Sequence, residues 1–310
     1  MAGSVNTNTG AQIALQNLNI TGSDLANVQK QISTGLRVSD AFDNGAVFAI
    51  AQGLRSDISA LTAVNGQLGA ACGLLNVTDA ALTAASKTFQ DVRSTLIQLA
   101  DSNVTGNARA QLNSQFSTQI QSYFNTLRGA NYQGNNILKP NVGSGVNDQV
   151  NVIKDADGNQ ITISADYTAS GLTVHDSYIG GPGGVAPLYP IFNPTAFDAN
   201  GYTTAVSPNP PADATAAAGY LAAGSDFTTL ESNTLEQANS IAAQKHLVDN
   251  QITLNNAISD ATAIGLGSLV DADLAKESAK LQSLQIKQQL GTQSLGIANQ
   301  TPQSLLGLFR

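Results

Sequence analysis

The sequence predicts a mainly α-helical fold. Its N- and C-terminal segments read as a long antiparallel helical bundle or coiled coil, with a small β-rich outer domain inserted in the middle. Three observations predict this. An apolar residue falls at every seventh position from Val47 to Leu96. Eight of the nine prolines lie between Pro140 and Pro211. Both ends of the 310-residue chain carry a second, weaker heptad pattern. Proline removes a backbone donor and clashes with the preceding helical turn, so its distribution divides the chain into helix, broken middle and helix.

At the N-terminus, Ala11, Leu18, Leu25 and Ile32 form one column, with Leu15, Gly22, Gln29 and Leu36 as the other. Two columns at seven-residue spacing are coiled-coil geometry. Residues 39–45 (SDAFDNG) then break the helix, and Asp43 or Asn44 is placed to cap the next one. The long central column is Val47, Leu54, Leu61, Leu68, Leu75, Leu82, Phe89 and Leu96. A companion lies three residues behind each, with Asp57 and Thr78 as its polar members. A helix of that length runs roughly 75 Å at about 1.5 Å per residue. A narrow apolar stripe on such a rod demands partner helices along its whole length.

A shorter helix is expected over residues 107–128, where Leu112, Phe116, Ile120, Tyr123 and Leu127 recur at three- and four-residue steps. Residues 131–136 (NYQGNN) read as a turn. Val150, Val152, Ile161 and Ile163 alternate on either side of Asp157-Gly158, the signature of a β-hairpin. Residues 172–174 are strand-like, and residues 180–211 are rich in Gly and Pro and read as loop. A helical pattern resumes at Phe227 through Leu230, Ala238, Ile241, Val248 and Ile252, and runs to a break at Gly265-Leu266-Gly267. The C-terminal seam sets Leu274, Leu281, Gln288 and Leu295 against Val270, Glu277, Leu284, Gly291 and Ala298. The domain boundaries expected are 1–45 and 269–310 for an inner coiled coil, 46–139 and 226–268 for a helical shaft, and 140–225 for the outer domain.

Energetics set the two ends apart. Each terminal seam buries a handful of leucines, worth roughly 1.5–3 kcal/mol apiece. Ordering about forty residues costs about 1–2 kcal/mol per residue for the backbone alone. The ends are therefore expected to be largely unfolded in an isolated subunit and to become helical when packed against each other and against neighbouring subunits. Residues 1–23 and 288–309 contain no Asp, Glu, Lys or Arg. Burying an unpaired charge is costly, so charge-free ends suit surfaces that become covered on association.

Composition narrows the function. The charged fraction is 12%, and the net charge of −8 argues against a nucleic-acid partner. No run of eighteen apolar residues and no basic amphipathic helix points to a membrane, and no cleaved signal peptide is expected at the N-terminus. The single cysteine, Cys72, reads as a small packed thiol. His175 and His246 are isolated, with no zinc-binding pair. Asp155-Ala-Asp157-Gly158-Asn159 resembles the start of a calcium loop, but loop position six is not glycine and position twelve is Asp166, so the hairpin turn explains it better. Asp271 and Asp273 read as helix caps ahead of Leu274. No nucleophile–base set and no phosphate loop is found, so no enzyme, metal or cofactor is expected.

The ends of the chain resemble bacterial flagellin, in the wording found in alphaproteobacteria. At the N-terminus the resemblance rests on Ser4-Val5-Asn6-Thr7-Asn8, Leu15-Gln16-Asn17-Leu18, Ile32-Ser33-Thr34-Gly35-Leu36-Arg37 and Ala46-Val47-Phe48-Ala49-Ile50-Ala51. At the C-terminus it rests on Lys287-Gln288-Gln289-Leu290-Gly291, Ala298-Asn299-Gln300-Thr301-Pro302-Gln303 and the closing Leu305-Leu306-Gly307-Leu308-Phe309-Arg310. The resemblance covers about residues 1–140 and 225–310. It implies a structural subunit that polymerises into the hollow helical filament driving bacterial swimming. It also implies an inner coiled coil from both termini, a helical shaft, and export without a cleaved signal through the flagellar type III apparatus, with an export chaperone and a filament cap as partners. Paralogous flagellins are candidates to share the filament. A flagellin-like hook–filament junction protein is the near alternative, and a coiled-coil adhesin or needle-tip protein a more distant one.

Under that resemblance the self-assembly residues are Leu15, Leu18, Leu25, Ile32, Leu36, Leu274, Leu281, Leu284 and Leu295. The shaft column, with Ile241, Val248 and Ile252, forms the wall. The stretch Gln90-Asp91-Val92-Arg93-Ser94-Thr95 departs from the family's receptor-recognition pattern by placing an acid where a base is expected. The expectation is weak activation of the vertebrate Toll-like flagellin receptor. Thr195, Thr203, Thr204, Ser207 and Thr215 are candidate O-glycosylation positions in the middle, and the missing zinc motif excludes the protease-bearing version of that region.

Overall fold

The structure, a computed structural model, describes residues 8–138, 149–165, 192–197 and 203–307. The elements are α1 (Thr9–Thr34), α2 (Ala41–Leu99), α3 (Gly106–Gly129), β1 (Val150–Ile153), β2 (Gln160–Ile163), β3 (Phe192–Phe197), β4 (Thr203–Pro208), α4 (Ala214–Leu221), α5 (Asp226–Val270) and α6 (Leu274–Gly307). Two compact units result: residues 1–59 with 258–310, and residues 60–257. The divisions fall inside α2 and α5.

In the terminal unit α1 pairs with α6. The side chain of Asn8 caps α1 by accepting from the Ala11 amide and donates across to the Ala298 carbonyl. The half-buried face of α1 runs through Ala11, Ala14, Leu18, Thr21, Leu25, Val28 and Ile32. The second column is thus Ala14, Thr21 and Val28, three residues behind the first, and not Leu15, Gly22 and Gln29. Leu15 is 49% exposed. Small residues occupy the seam because two backbones come close there: a Cβ on Gly291 of α6 would stand 3.2 Å from the Leu18 side chain. On α6, Leu281, Leu284, Gly291, Leu295 and Ala298 face inward, while Leu274 and Gln288 are exposed. Both ends are helical within a single chain, so what sets them apart is how little apolar surface they bury.

The two turns of this unit are tied to each other. Gly35 ends α1 at φ +71°, a left-handed position that favours glycine, and its amide returns to the Gln31 carbonyl. The amides of Arg37 and Val38 donate to the Val270 carbonyl, and the Ala272 amide donates to the Gly35 carbonyl. Val38, Ala51 and Val270 form a small buried cluster, flanked by Leu36, Val47, Phe48, Leu266 and Leu269. This packing carries α5 through Gly265-Leu266-Gly267, where a break was expected. Each helical glycine costs about 1 kcal/mol relative to alanine, and the burial of Leu266, Leu269 and Val270 opposes that cost. Gly267 also makes room for Asp271, whose carboxylate would lie 2.8 Å from a Cβ there. Asp273 then caps α6 by accepting from the Ala275 and Lys276 amides.

The central unit is built on a true core. Leu68, Leu75, Leu82, Phe89 and Leu96 of α2 are almost fully buried, as are Phe116, Ile120, Tyr123, Phe124 and Leu127 of α3 and Ile241 and Val248 of α5. Phe89 packs its ring 4.8 Å from Tyr123 and 5.6 Å from Phe227. By length and composition α2 contains a window apolar enough to cross a membrane, a window that the run-of-eighteen criterion passes over. Its leucine column, however, is packed against α3 and α5. At Gly73 a Cβ would sit 2.6 Å from the Tyr132 ring, so glycine is what lets the turn after α3 close onto α2. That turn is a two-residue hairpin with positive φ at Gln133 and Gly134.

β1 and β2 pair antiparallel, with Val152 opposite Ile161, and the Asp155 carboxylate gathers the amides of Asp157 and Asn159 to form the turn. Its acceptors are thereby committed to the hairpin, as the sequence favours over a calcium loop. Within residues 180–211, read as loop, the structure has a second antiparallel ribbon, β3–β4, with irregular register around Pro194 and Ala196. Two-stranded ribbons have only edges, and edges tolerate the prolines that argued for loop. Helix α4 was likewise unexpected: Asp213 caps it by accepting from the Ala216 amide, ahead of the run Ala216-Ala217-Ala218. The strand-like residues 172–174 and His175 lie outside the described residues.

Candidate assembly surfaces

Among the described residues no group of three His, Cys, Asp or Glu side chains could hold a metal ion. His246 is exposed on α5. Cys72 is half-buried and its thiol donates to Asp249 at 3.3 Å; burial and the neighbouring carboxylate push its pKa up to about 11. A thiol so held is a poor nucleophile.

A dense polar cluster forms at the α1–α2 turn. Lys30 Nζ lies 2.6 Å from Asp40 and 3.0 Å from Asp43. Asp43 also accepts from the amide and hydroxyl of Ser39 and from the Asp40 amide. Those donors, led by the Ser39 amide and Lys30, hold the Asp43 carboxyl well below the usual range, and Lys30 lowers Asp40 in the same way. Asp40 caps the start of α2 at the amides of Phe42 and Asp43, and Asn44 caps its continuation at Val47. The backbone at Asn44 is non-helical, so the turn expected at residues 39–45 is present as a capped kink.

The shaft column is graded in burial. Leu61, Leu68, Leu75, Leu82, Phe89 and Leu96 are buried, whereas Val47 and Leu54 are only half-buried; Ile241 and Val248 are buried and Ile252 half-buried. Two buried polar groups of the central unit are paired. The buried Tyr123 hydroxyl sits 3.0 Å from the Thr234 hydroxyl, and buried Asn255 donates to Asn65 and to the Lys154 carbonyl. Nothing in periodicity alone marks Thr234 or Asn255, since both sit in a helix whose apolar pattern is weak. Of the stretch read as receptor-facing, Gln90 and Asp91 are exposed and Val92 is buried. Arg93 pairs with Glu231 and lies over the Phe227 ring.

The terminal unit leaves large apolar side chains outward. Ile13 is 60% exposed, Ile20 53%, Ile286 58%, Leu290 59% and Ile297 63%. None of these positions was singled out by the heptad reading, which followed the seam between α1 and α6 and so missed the faces turned away from it. Thr195 lies in β3, Thr203, Thr204 and Ser207 lie in β4, and Thr215 is an exposed residue of α4. All five therefore sit in regular elements, the first four within the stretch 180–211 read as loop.

Comparison with known proteins decides the family. The bacterial flagellin N-terminal helical region matches residues 5–142, and the bacterial flagellin C-terminal helical region matches residues 222–309. The chain belongs to the bacterial flagellins. Flagellin FljK of Caulobacter vibrioides is 35% identical over 309 residues, covering 99% of this chain and 98% of its own length. The flagellin of Brucella melitensis is 31% identical over 317 residues, with 99% of each chain covered. Flagellin C of Rhizobium meliloti is 28% identical over 330 residues, with the same coverage. All three sources are alphaproteobacteria, as the wording of the terminal blocks implies. This flagellin is a structural subunit of the flagellar filament and polymerises with copies of itself. The junction-protein and adhesin readings are not favoured.

Proposed function

We propose that the α1–α6 pair is the part of this flagellin that gains its full stability by assembly, lining the inner tube of the filament while the central unit forms the shaft wall. The outward apolar residues of α1 and α6 carry this reading. Five large side chains from Ile13 to Ile297 remain more than half exposed on two helices whose outer stretches hold no charge. Covering them removes apolar area from water at about 25 cal/mol per Å², and around Ile13 and Ile297, well inside the charge-free stretches, it does so without desolvating an ion. The self-assembly set is then Leu18, Leu25, Ile32, Leu36, Leu281, Leu284 and Leu295 within the pair, with Leu15 and Leu274 facing neighbours. The protein works mechanically and not as an enzyme.

A pair of ends with so little burial is suited to leaving the cell unfolded, so the partners expected are the type III export apparatus, an export chaperone and the filament cap, with release outside the cell and no cleaved signal. Paralogous flagellins are expected to co-assemble. Asp91 and the Arg93–Glu231 pair support weak activation of the vertebrate receptor, and a reporter-cell assay with potency equal to an enteric flagellin would refute this. Intact mass of the secreted protein tests glycosylation at Thr195, Thr203, Thr204, Ser207 and Thr215.

Hydrogen exchange tests the central claim. Amides of α1 and α6 are expected to exchange quickly in dilute monomer and slowly in reassembled tubes seen by electron microscopy. Slow exchange of both helices in the monomer would overturn it.

A further inference from the structure

An open polymer needs a projecting feature at one place on the subunit and a recess that accepts it at another. The terminal unit has one conspicuous projection. Phe42 is 100% exposed, the most exposed of the large apolar side chains among the described residues. It does not dangle from a loose loop. Its own amide donates to Asp40, and the neighbouring Asp43 is held by Lys30, Ser39 and the Asp40 amide. The turn thus presents a phenyl ring on an anchored backbone, which reduces the ordering cost of docking.

The central unit has a recess of matching size. A cavity of about 170 Å³ is lined by Ala70, Ala71, Leu74, Tyr132, Val150 and Val152, with polar neighbours including Gln67. The recess is open to solvent and also carries Gln133, Asn135 and Asn151, but its volume is that of a void known to accommodate a benzene-sized guest. Ala71, Leu74 and Val152 are buried, and Tyr132 is fixed by its fit over Gly73. The walls are therefore preformed. No Asp, Glu, Lys or Arg is among the lining residues, so an aromatic guest desolvates no ion.

We propose that Phe42 of one subunit docks into the Ala70–Tyr132–Val152 recess of a second copy in the filament. This rests on the reading that the chain polymerises through both units. It names a donor on one unit of the protomer and an acceptor on the other, the kind of unlike pairing that propagates without closing. A central aromatic anchor in a desolvated pocket is also the residue type that dominates interface energetics.

The test uses the full chain. Phe42→Ala removes only an exposed ring, so its monomer should match the wild type in circular dichroism and thermal melting. Its critical concentration for seeded elongation should rise about tenfold or more. Ala70→Phe, which fills the recess from its own side, should do the same. For geometry, Phe42→Cys and Gln67→Cys are combined in a Cys72→Ser background and treated with copper phenanthroline. A ladder of disulfide-linked multimers is expected in filaments, with no internal bridge in dilute monomer. Wild-type elongation of Phe42→Ala, or filaments without the ladder, overturns the proposal; so does an internal bridge, which would place the ring on its own chain. Failure of the wild-type protein to form tubes would instead overturn the polymerisation reading itself.

Discussion

The two units share heptad-spaced apolar residues and differ in what they do with them. In the central unit, Leu68, Leu75, Phe89, Tyr123, Phe124 and Phe227 are almost wholly withdrawn from water. In the terminal unit the fully buried apolar positions are few, chiefly Val28, Val38, Ala51, Val270 and Leu284, while isoleucines and leucines of comparable size stand in solvent. Aromatic side chains account for much of the contrast: each buries a large area and fixes its neighbours through ring geometry. The lesson is that heptad spacing alone does not say whether a helix is stable by itself. The side-chain volume at the seam decides it. A seam of Leu, Phe and Tyr closes a core, whereas a seam of Ala, Thr and Gly brings two helices together and leaves the larger residues for other partners.

The strongest way to break this comparison is a pair of truncations. Leu75→Ala should cost the monomer about 2–5 kcal/mol, because a fully buried leucine leaves a cavity behind. Leu290→Ala, on an exposed position of α6, should stay within about 0.5 kcal/mol in the same denaturant titration yet impair filament growth. Equal effects of the two on the monomer would remove the distinction between the units. Next in size is Thr234→Val. It leaves the buried Tyr123 hydroxyl without its partner and should cost about 1–3 kcal/mol in urea unfolding.

Acidity sharpens the comparison differently. Asp43 and Asp40 titrate below their unfolded values, so their contribution is present above about pH 4 and is lost as pH falls through the lower folded values. Lys30 is raised by the same two carboxylates, so its share persists below its unfolded value and fades only as pH rises through the folded one. Amide exchange at residues 37–44 should therefore quicken in acid before the central core loosens. Protection that falls equally in both units at one pH would show that this turn does not act separately. The smallest effect is expected for Arg93→Ala. Its pair with Glu231 is partly solvated, and a loss of about 1 kcal/mol or less, shrinking in high salt, is what a chemical melt should read.

Much of this arrangement was legible from residue spacing. The α2 column from Leu61 to Leu96, the α3 face through Phe116, Ile120 and Tyr123, the Asp157-Gly158 hairpin and the break near Asp43 each come from a local rule that the final packing obeys. Misreadings arose where packing overrode local preference. Leucine at position 15 drew the α1 seam one residue away from Ala14, because size was weighed above closeness of approach. Gly265 and Gly267 suggested a helix end that the cluster around Val270 carries through. Pro194 and Pro208 hid the β3–β4 ribbon, and the alanines of α4 gave no amphipathic signal. Phe42 and its candidate recess were invisible for another reason: exposure is a property of the assembled surface, and no periodicity records it.

The aromatic asymmetry has an optical consequence. The protein has no tryptophan, and all seven of its tyrosines fall between residues 60 and 257. Tyrosine emission is thus blind to the paired ends, whereas far-ultraviolet dichroism counts their helices. A single temperature ramp followed by both signals would separate the two melting events without any label, since non-coincident curves from different probes are the signature of independent transitions.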